Sequence, residues 1–442
     1  MIYKINSSNI NTIKNQGLKE DALKYVESYN KFCQYIEESG ANISKKDYEE
    51  KEKELLKILE SKGAKICHGN RSVILNDVSP SCEHCHTGYG SATYIITLKC
   101  NRDCFFCTNK NQADYEEGVN KIYDIVSEFK SHLSYFKKMQ SVAITGGEPL
   151  LYVDECINFL KTVKSADNTI QTRIYTNGDL VTEDMLIKLK EAGLDEIRFG
   201  LKPNDDGVVD NESLERLKLS VKYIKRTMVE MPLMINKVDK MKELVLTLDK
   251  IGIFGINILE FLYPYVHPDE YKNKGYEVVN RPYRVLYPYT YAGGVPIAES
   301  SIECLEVVLF ALENKVSMSV HYCSLENKLT AQVYYANHKV KKSEIEYFSE
   351  KDYFIKTAKG YGDDIITIKE VLDKNNINHY MYDNSNKIIE FSPIYVPLLK
   401  DYSMELGLTY MAVDYDEEYM QNVLREYQID KIDTKTFELS DI

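Results

Sequence analysis

Five cysteines lie within "SPSCEHCHTGYGSATYIITLKCNRDCFFC", residues 79–107: Cys82, Cys85, Cys100, Cys104 and Cys107. Two ligand sets compete for them. Cys82, Cys85, Cys104 and Cys107 give C-x2-C-x18-C-x2-C, the spacing of a zinc ribbon. Cys100, Cys104 and Cys107 give C-x3-C-x2-C, three thiolates on one short loop. Cluster sites usually take four cysteines, so three hold three corners of a cubane and leave one iron open. An open metal position is where a ligand can bind and react. The zinc pairing leaves Cys100 idle and says nothing of "TGGEP" at 145–149. There Gly146 and Gly147 allow close backbone approach to a ligand, and Glu148 offers a carboxylate to a ligand ammonium. The plainer alternative for Glu148 is an acid at a helix N-terminus.

The elements that must position these groups alternate. "ATYIITLKC", "SVAIT", "IQTRIYTNG", "EIRFGL", "TMVEMPLMI" and "GINILEFLY" read as strands, and helical patterns separate them. One such helix is expected over 115–139. Thr182 caps "TEDMLIKLKEAG", which Gly193 closes. Strands alternating with helices imply a parallel sheet with right-handed crossovers. Six βα units are too few for a closed eight-stranded barrel, so the expected fold is α/β, a partial (β/α)6 TIM-like barrel. Its catalytic face lies at the C-terminal ends of the strands. The cluster loop follows the first strand there, and TGGEP follows the second.

Around this core the chain divides into three expected regions. Residues 1–91 form a helical prefix with the upstream CxxC. Its first helix turns Leu23, Val26, Tyr29 and Phe32 to one face. Its second opens at Ser44 with Asp47 and closes at Gly63. Residues 92–329 form the barrel, including a Tyr/Pro-rich connection over 262–297. A helix, "SSIECLEVVLFALEN", and a strand, "SMSVHYCS", follow it. Residues 330–442 form a small α+β C-terminal domain. Cys33, Cys156 and Cys304 sit in helical patterns and read as core.

Composition limits the function classes. Net charge is −13, which argues against passive nucleic-acid binding. No apolar run reaches the ~18 residues of a membrane helix, and the N-terminus lacks a signal-peptide core. A cytoplasmic location is therefore expected, where clustered cysteines read as metal ligands rather than disulfides.

Taken together, "CNRDCFFC", "TGGEP" and the strand ends at 175–178 and 198–202 resemble the radical S-adenosylmethionine (SAM) superfamily, over about 92–263. The resemblance implies that Cys100, Cys104 and Cys107 hold a [4Fe–4S] cluster whose unique iron chelates SAM. It implies that Phe106 contacts adenine, and that Gly146, Gly147, Glu148 and Pro149 line the methionyl group. It puts Asn177 and Arg198 near ribose or carboxylate. Reduction by a donor such as ferredoxin or flavodoxin would cleave SAM to a 5′-deoxyadenosyl radical that abstracts a substrate hydrogen.

Cys82 and Cys85 then need other partners. The upstream "SPSCEHCHTG" and the later "HYCS" are similar to a poorly characterised group likened to pyruvate formate-lyase activating enzymes. More distantly they resemble the cobalamin-dependent arginine methyltransferase of methyl-coenzyme M reductase. That resemblance implies a second metal site: Cys82, Cys85 and Cys323, with Cys67 as fourth ligand and His84, His86 and His321 as substitutes. Zinc, iron or an auxiliary iron–sulfur cluster suits such thiolates. This site should lie at the end of the first strand opposite the cluster loop. Candidate substrate contacts are Glu260, Tyr263, Tyr265, His267, Tyr276 and Arg281. The tyrosine-rich rim favours a peptide or protein substrate over a small molecule. Two alternatives stand beside this reading. One is a cobalamin-dependent radical methyltransferase. The other is a catalytically inactive, zinc-stabilised binding protein.

Overall fold

Along each parallel strand, residues that pack against helices alternate with residues that face away from them. The computed structural model describes residues 1–111, 115–135, 138–289, 293–418 and 420–442. Seven strands run parallel: β1 (Ser91–Thr97), β2 (Ser141–Gly146), β3 (Gln171–Thr176), β4 (Glu196–Phe199), β5 (Arg226–Pro232), β6 (Gly255–Leu259) and β7 (Ser319–Cys323). Six were expected. The seventh is the "SMSVHYCS" strand, which pairs in register with β6 (His321 opposite Asn257). Its crossover is the helix Ser300–Glu313, so the long connection interrupts a βα unit rather than ending the series. A hairpin of Lys65–Cys67 and Ser72–Leu75 adds antiparallel to β7, giving nine strands in an open sheet.

The helix-facing set is apolar. Tyr94, Ile96, Val142, Ile144, Ile174, Ile197, Val229, Ile256, Ile258 and Val320 share one core with Phe129, Phe159, Leu186, Leu217, Val245 and Leu305 from the helices. The period of two puts Thr93, Ala143, Arg173, Glu196, Arg198, Glu230, Asn257 and His321 on the other face. Barrel interiors are ordinarily filled by Val, Ile and Leu. This one is charged.

Local signals hold where side chains make caps. Thr182 accepts from the Met185 amide, and Gly193, at φ 98°, ends that helix. Ser79 caps Pro80–Thr87, and left-handed Gly88 closes it. Ser44 does not cap its helix. It accepts from the Lys46 amide, and the helix begins only at Glu49. The helix expected over 115–139 is two pieces, Tyr115–Gly118 and Ile125–Tyr135, with 136–137 outside the described residues.

The chain forms two compact units whose borders differ from the three expected regions. One comprises 40–282 and 290–331, with the barrel and the upstream CxxC. The other comprises 1–39, 283–289 and 332–442. Its antiparallel sheet carries the long hairpin Glu405–Asp416 and Gln421–Asp433, with Ile2–Tyr3 on its edge. The helix Gln16–Glu38 packs there through Leu18, Ala22 and Val26, whereas Leu23 is exposed. The N-terminal helix thus belongs with the C-terminal sheet.

Candidate functional site

The cluster loop and the GGEP turn are joined backbone to backbone. The Gly147 amide donates to the Thr97 carbonyl and the Glu148 amide to the Lys99 carbonyl, each at 2.8 Å. A Cβ on Gly146 would stand 2.0 Å from the Thr97 oxygen, and one on Gly147 2.1 Å from the Lys99 oxygen. Both glycines are therefore required by contact with the neighbouring strand end, and Gly146 also by its φ of 133°. Glu148 is fully buried. Its Oε1 accepts from the Leu150 amide (3.0 Å) and Thr176 Oγ1 (2.7 Å), its Oε2 from the Asn177 amide (2.7 Å). It bolts this turn to the end of β3 and heads the short turn Pro149–Tyr152, in which Pro149 is buried. Burial raises its carboxyl, against the pull of those three donors.

Asn177 continues the link. Its Nδ2 donates to Asn101 Oδ1 at 2.7 Å and lies 3.7 Å from Cys100 Sγ, which the Arg102 amide also approaches at 3.4 Å. Arg102, inside the cysteine loop, makes a two-pronged pair with Asp179 at 2.6 and 2.5 Å. Cys100, Cys104 and Cys107 are half-buried at the end of β1. Burial raises the Cys104 thiol, and the Lys202 ammonium opposes that. Lys202 lies over the Phe106 ring at 5.3 Å. Among the described residues, no three His, Cys, Asp or Glu side chains converge on one ion position, in either cysteine set. A cubane holds its thiolates on separate irons, farther apart than ligands to one ion. Three soft thiols with N–H donors at the first sulfur fit that group.

Below this rim Arg198 organises the barrel interior. Its Nε donates to Glu196 (2.5 Å), its Nη1 to Glu230 (2.6 Å) and Tyr175 (3.4 Å), its Nη2 to Cys82 Sγ (3.1 Å). It was expected near ribose or carboxylate. Instead its guanidinium is buried among strand residues with every nitrogen engaged. Burial, the largest single influence, would raise Glu230, but Arg198, Lys328, Asn257 and Arg173 together outweigh it and hold the carboxyl down to about 2.

The upstream cysteines enter this interior from Pro80–Thr87. Asn257 Nδ2 also approaches Cys82 Sγ, at 3.4 Å, so Cys82 reaches into the barrel rather than marking the far end of β1. Cys323 Sγ accepts from Asn327 Nδ2 at 3.1 Å, and burial pushes its thiol up to about 12. Cys67 stands opposite Ser72, which stands opposite Cys323, so one strand separates the two cysteines. Cys85 is exposed. His321 has both nitrogens taken, by Ser72 (2.8 Å) and Asn257 (3.2 Å), and burial holds it down to about 4. His86 packs 3.9 Å from the His68 ring, and its buried Nε2 has no hydrogen-bond partner. His84 Nδ1 is in the same position. The four cysteines therefore share a neighbourhood without converging.

The tyrosine-rich connection packs over the cluster loop. Phe105 and Phe106 meet Phe261 at 6.2 and 6.3 Å, and Phe261 meets Tyr271 and Tyr276 at 5.7 and 5.5 Å. Tyr263 is buried in the same group, Tyr265 is exposed, and His267 and Arg281 sit at positive φ. Residues 290–292 lie outside the described set. Glu260 accepts from Tyr322 and the Leu325 amide, each at 2.6 Å, and burial raises it to about 7. Motif reading missed Asp179, Arg173, Glu196, Glu230 and Asn257, and took Tyr175 only as part of the strand end at 175–178. The signal for most of them was a polar residue at every second place in otherwise apolar strands.

Comparison with known proteins bears on residues 94–248, which match the radical SAM superfamily. A putative glycyl-radical enzyme activating enzyme of Methanocaldococcus jannaschii is 31% identical over 187 residues, 41% of this chain and 50% of that protein. A probable GTP 3′,8-cyclase of Methanococcus aeolicus is 27% identical over 177 residues, 38% of this chain and 58% of that protein. The chain thus spans about half the length of these relatives. Among solved structures, Streptococcus suis SuiB bound to precursor peptide SuiA aligns with TM-score 0.39 and 14% identity, covering 72% of this chain and 67% of that one. No helix among the described residues is long and apolar enough to cross a membrane.

Proposed function

We propose, from the radical SAM domain that this chain carries over residues 94–248, that it is an enzyme generating a substrate radical at the mouth of the barrel. When bound, a [4Fe–4S] cluster and SAM together supply reductive cleavage to methionine and a 5′-deoxyadenosyl radical. Cys100, Cys104 and Cys107 are the residues to hold the cluster, and Phe106, Gly146 and Gly147 line the adjoining rim. Glu148, Pro149 and Asn177 act one step removed. Glu148 fixes the GGEP turn to β3, and Asn177 ties that junction to the cysteine loop. The aromatic group of Phe105, Phe106, Phe261 and Tyr271 keeps water from one side of the loop. The observation that carries this reading is the backbone seam between Thr97–Lys99 and Gly147–Glu148. It brings a three-thiol loop and a glycine turn together at adjacent strand ends.

A second metal on Cys82, Cys85 and Cys323, with Cys67 or His86 completing the set, is part of the proposal. Their shared neighbourhood and the orphaned His86 Nε2 support it. Because Tyr263, Tyr271 and Tyr276 are packed together, the tyrosine-rich connection lends little weight to a peptide substrate.

The test is anaerobic purification and reconstitution, iron, sulfide and zinc analysis, then addition of SAM and dithionite. The wild type should form 5′-deoxyadenosine and Cys104→Ala should not. A wild-type protein that takes up only zinc and cleaves no SAM would overturn the reading.

A further inference from the structure

The barrel interior holds a second guanidinium, and this one is not satisfied. Arg173, on β3, is 4% exposed. Its Nε is sealed from solvent and has no hydrogen-bond partner. No carboxylate among the described residues lies within ion-pair distance of it. The face of the Tyr175 ring lies 5.4 Å from it, and Glu196, opposite it on β4, and Cys85 act on it only from beyond ion-pair distance. Arg198 sits over the same ring at 5.6 Å. Arg198 donates to Glu196, Glu230, Tyr175 and Cys82; Arg173 makes a hydrogen bond to none of them.

Taking a guanidinium out of water without an acceptor is costly, so buried charges are normally paired. Arg198 takes Glu196 and Glu230 at 2.5 and 2.6 Å, so the nearest carboxylates are already engaged by the other guanidinium. The groups around Arg173 are not sealed: Tyr175 is half-buried, Cys85 is exposed and the Lys328 side chain is 27% exposed. Arg173 also lies deep. It precedes Asn177 by four residues, about 13 Å along a strand. A ligand touching both the rim and Arg173 must be slender and reach inward.

We propose that Arg173 recognises an oxyanion, a carboxylate or a phosphate, that the substrate carries into the barrel interior. The inference rests on the reading of this barrel as a substrate chamber and narrows the substrate to one with an anionic end. A planar fork with free terminal nitrogens suits two oxygens of one such group.

Thermal melts of the full chain, reconstituted anaerobically but without SAM, test this with inorganic phosphate and with succinate as probes. Chloride at matched ionic strength is the control. One or both oxyanions should raise the wild-type melting temperature saturably, and which one does separates phosphate from carboxylate. Arg173→Met should weaken the apparent affinity roughly ten- to a hundredfold, with Arg173→Lys between. Without oxyanion, Arg173→Met should melt no lower than wild type, because it removes a buried unpaired charge. Three results overturn the proposal. Neither probe stabilises the wild type, or wild type and Arg173→Met respond alike, or zinc or iron loading of the upstream cysteines abolishes the response. The last would mean that the guanidinium serves the Cys85 thiolate. Because SAM is absent from the melts, failed SAM cleavage and a failed oxyanion response are separate results.

Discussion

The two cysteine groups of this protein are held by opposite means. Cys100, Cys104 and Cys107 sit on a loop fixed chiefly away from the sulfurs, by strand-end amides, by Asn177 and by the Arg102–Asp179 pair, with longer N–H contacts at the Cys100 sulfur. Cys82 is instead a partner in a buried charged network, accepting from Arg198 and Asn257. Where the scaffold does the holding, thiols are left for metal. Where thiols share the holding, they are structural as well as chemical. The difference predicts a crossed pair of outcomes. Cys104→Ala should lose cluster iron and SAM cleavage to background while the fold stays within about 1 kcal/mol of wild type. Cys82→Ala should retain the cluster but lose about 1–3 kcal/mol, because one Arg198 donor is left unsatisfied in the interior. Denaturant melts with iron analysis read both. Equal stability losses in the two variants would erase the distinction.

The glycine seam sharpens the outer half of the comparison. Gly147→Ala puts a methyl group against the Lys99 carbonyl, where only a backbone shift makes room. About 3 kcal/mol of stability should be lost, together with iron retention, since the displaced atoms begin the cysteine loop. Full iron content in a stable Gly147→Ala protein would show that the seam does not position the loop.

The inner half is tested by pH. The folded Glu230 carboxyl, at about 2, lies below its ordinary 4.5, so its contribution is complete above 4.5 and is lost as pH falls towards 2. On the order of a few kcal/mol should disappear across that window. Glu230→Gln should flatten that part of the stability profile in denaturant melts between pH 6 and 3. A wild-type profile level through the window would remove Glu230 from the network.

What could be read in the sequence follows the same division. The cysteine loop, TGGEP, Thr182 and Gly193 are local signals, each acting through its own backbone or its neighbour's. The interior network is not local. Arg173, Glu196, Arg198 and Glu230 alternate with Ile174, Ile197 and Val229, a pattern that usually means one wet face. Only the curvature of the parallel sheet turns that face inward. One long-range pairing was equally hidden: Ile2–Tyr3 joins a strand ending at Asp433. The β7 strand was legible within the barrel region, but not its pairing with β6 across the 262–297 connection. Ser44 misled because a Ser-x-x-Asp spacing is only a possible cap, and here its hydroxyl meets Lys46.

The smallest effect isolates how the outer loop is held. Asp179 follows Asn177 by two residues and accepts from Arg102 Nε and Nη2 and from Asn101 Nδ2, both residues lying between Cys100 and Cys104. Hydrogen bonding from Arg102 holds its carboxyl below the usual range, although burial opposes this. Asp179→Asn keeps a neutral acceptor and removes the charge, so the fold should remain within about 1 kcal/mol of wild type. The thiols would lose orientation rather than chemistry. Residues that orient metal ligands in this way typically contribute about 10–100-fold in metal affinity. A value near the lower end is expected here, because Asn177 and the glycine seam still hold the loop. The measurement is the rate of iron release to a chelator under anaerobic conditions. Arg102→Met should give a similar rate, and the double variant little more than either, since both remove one shared interaction. Additive effects would mean that Arg102 and Asp179 act on the loop separately, and unchanged release in both would leave the backbone seam and Asn177 as its supports.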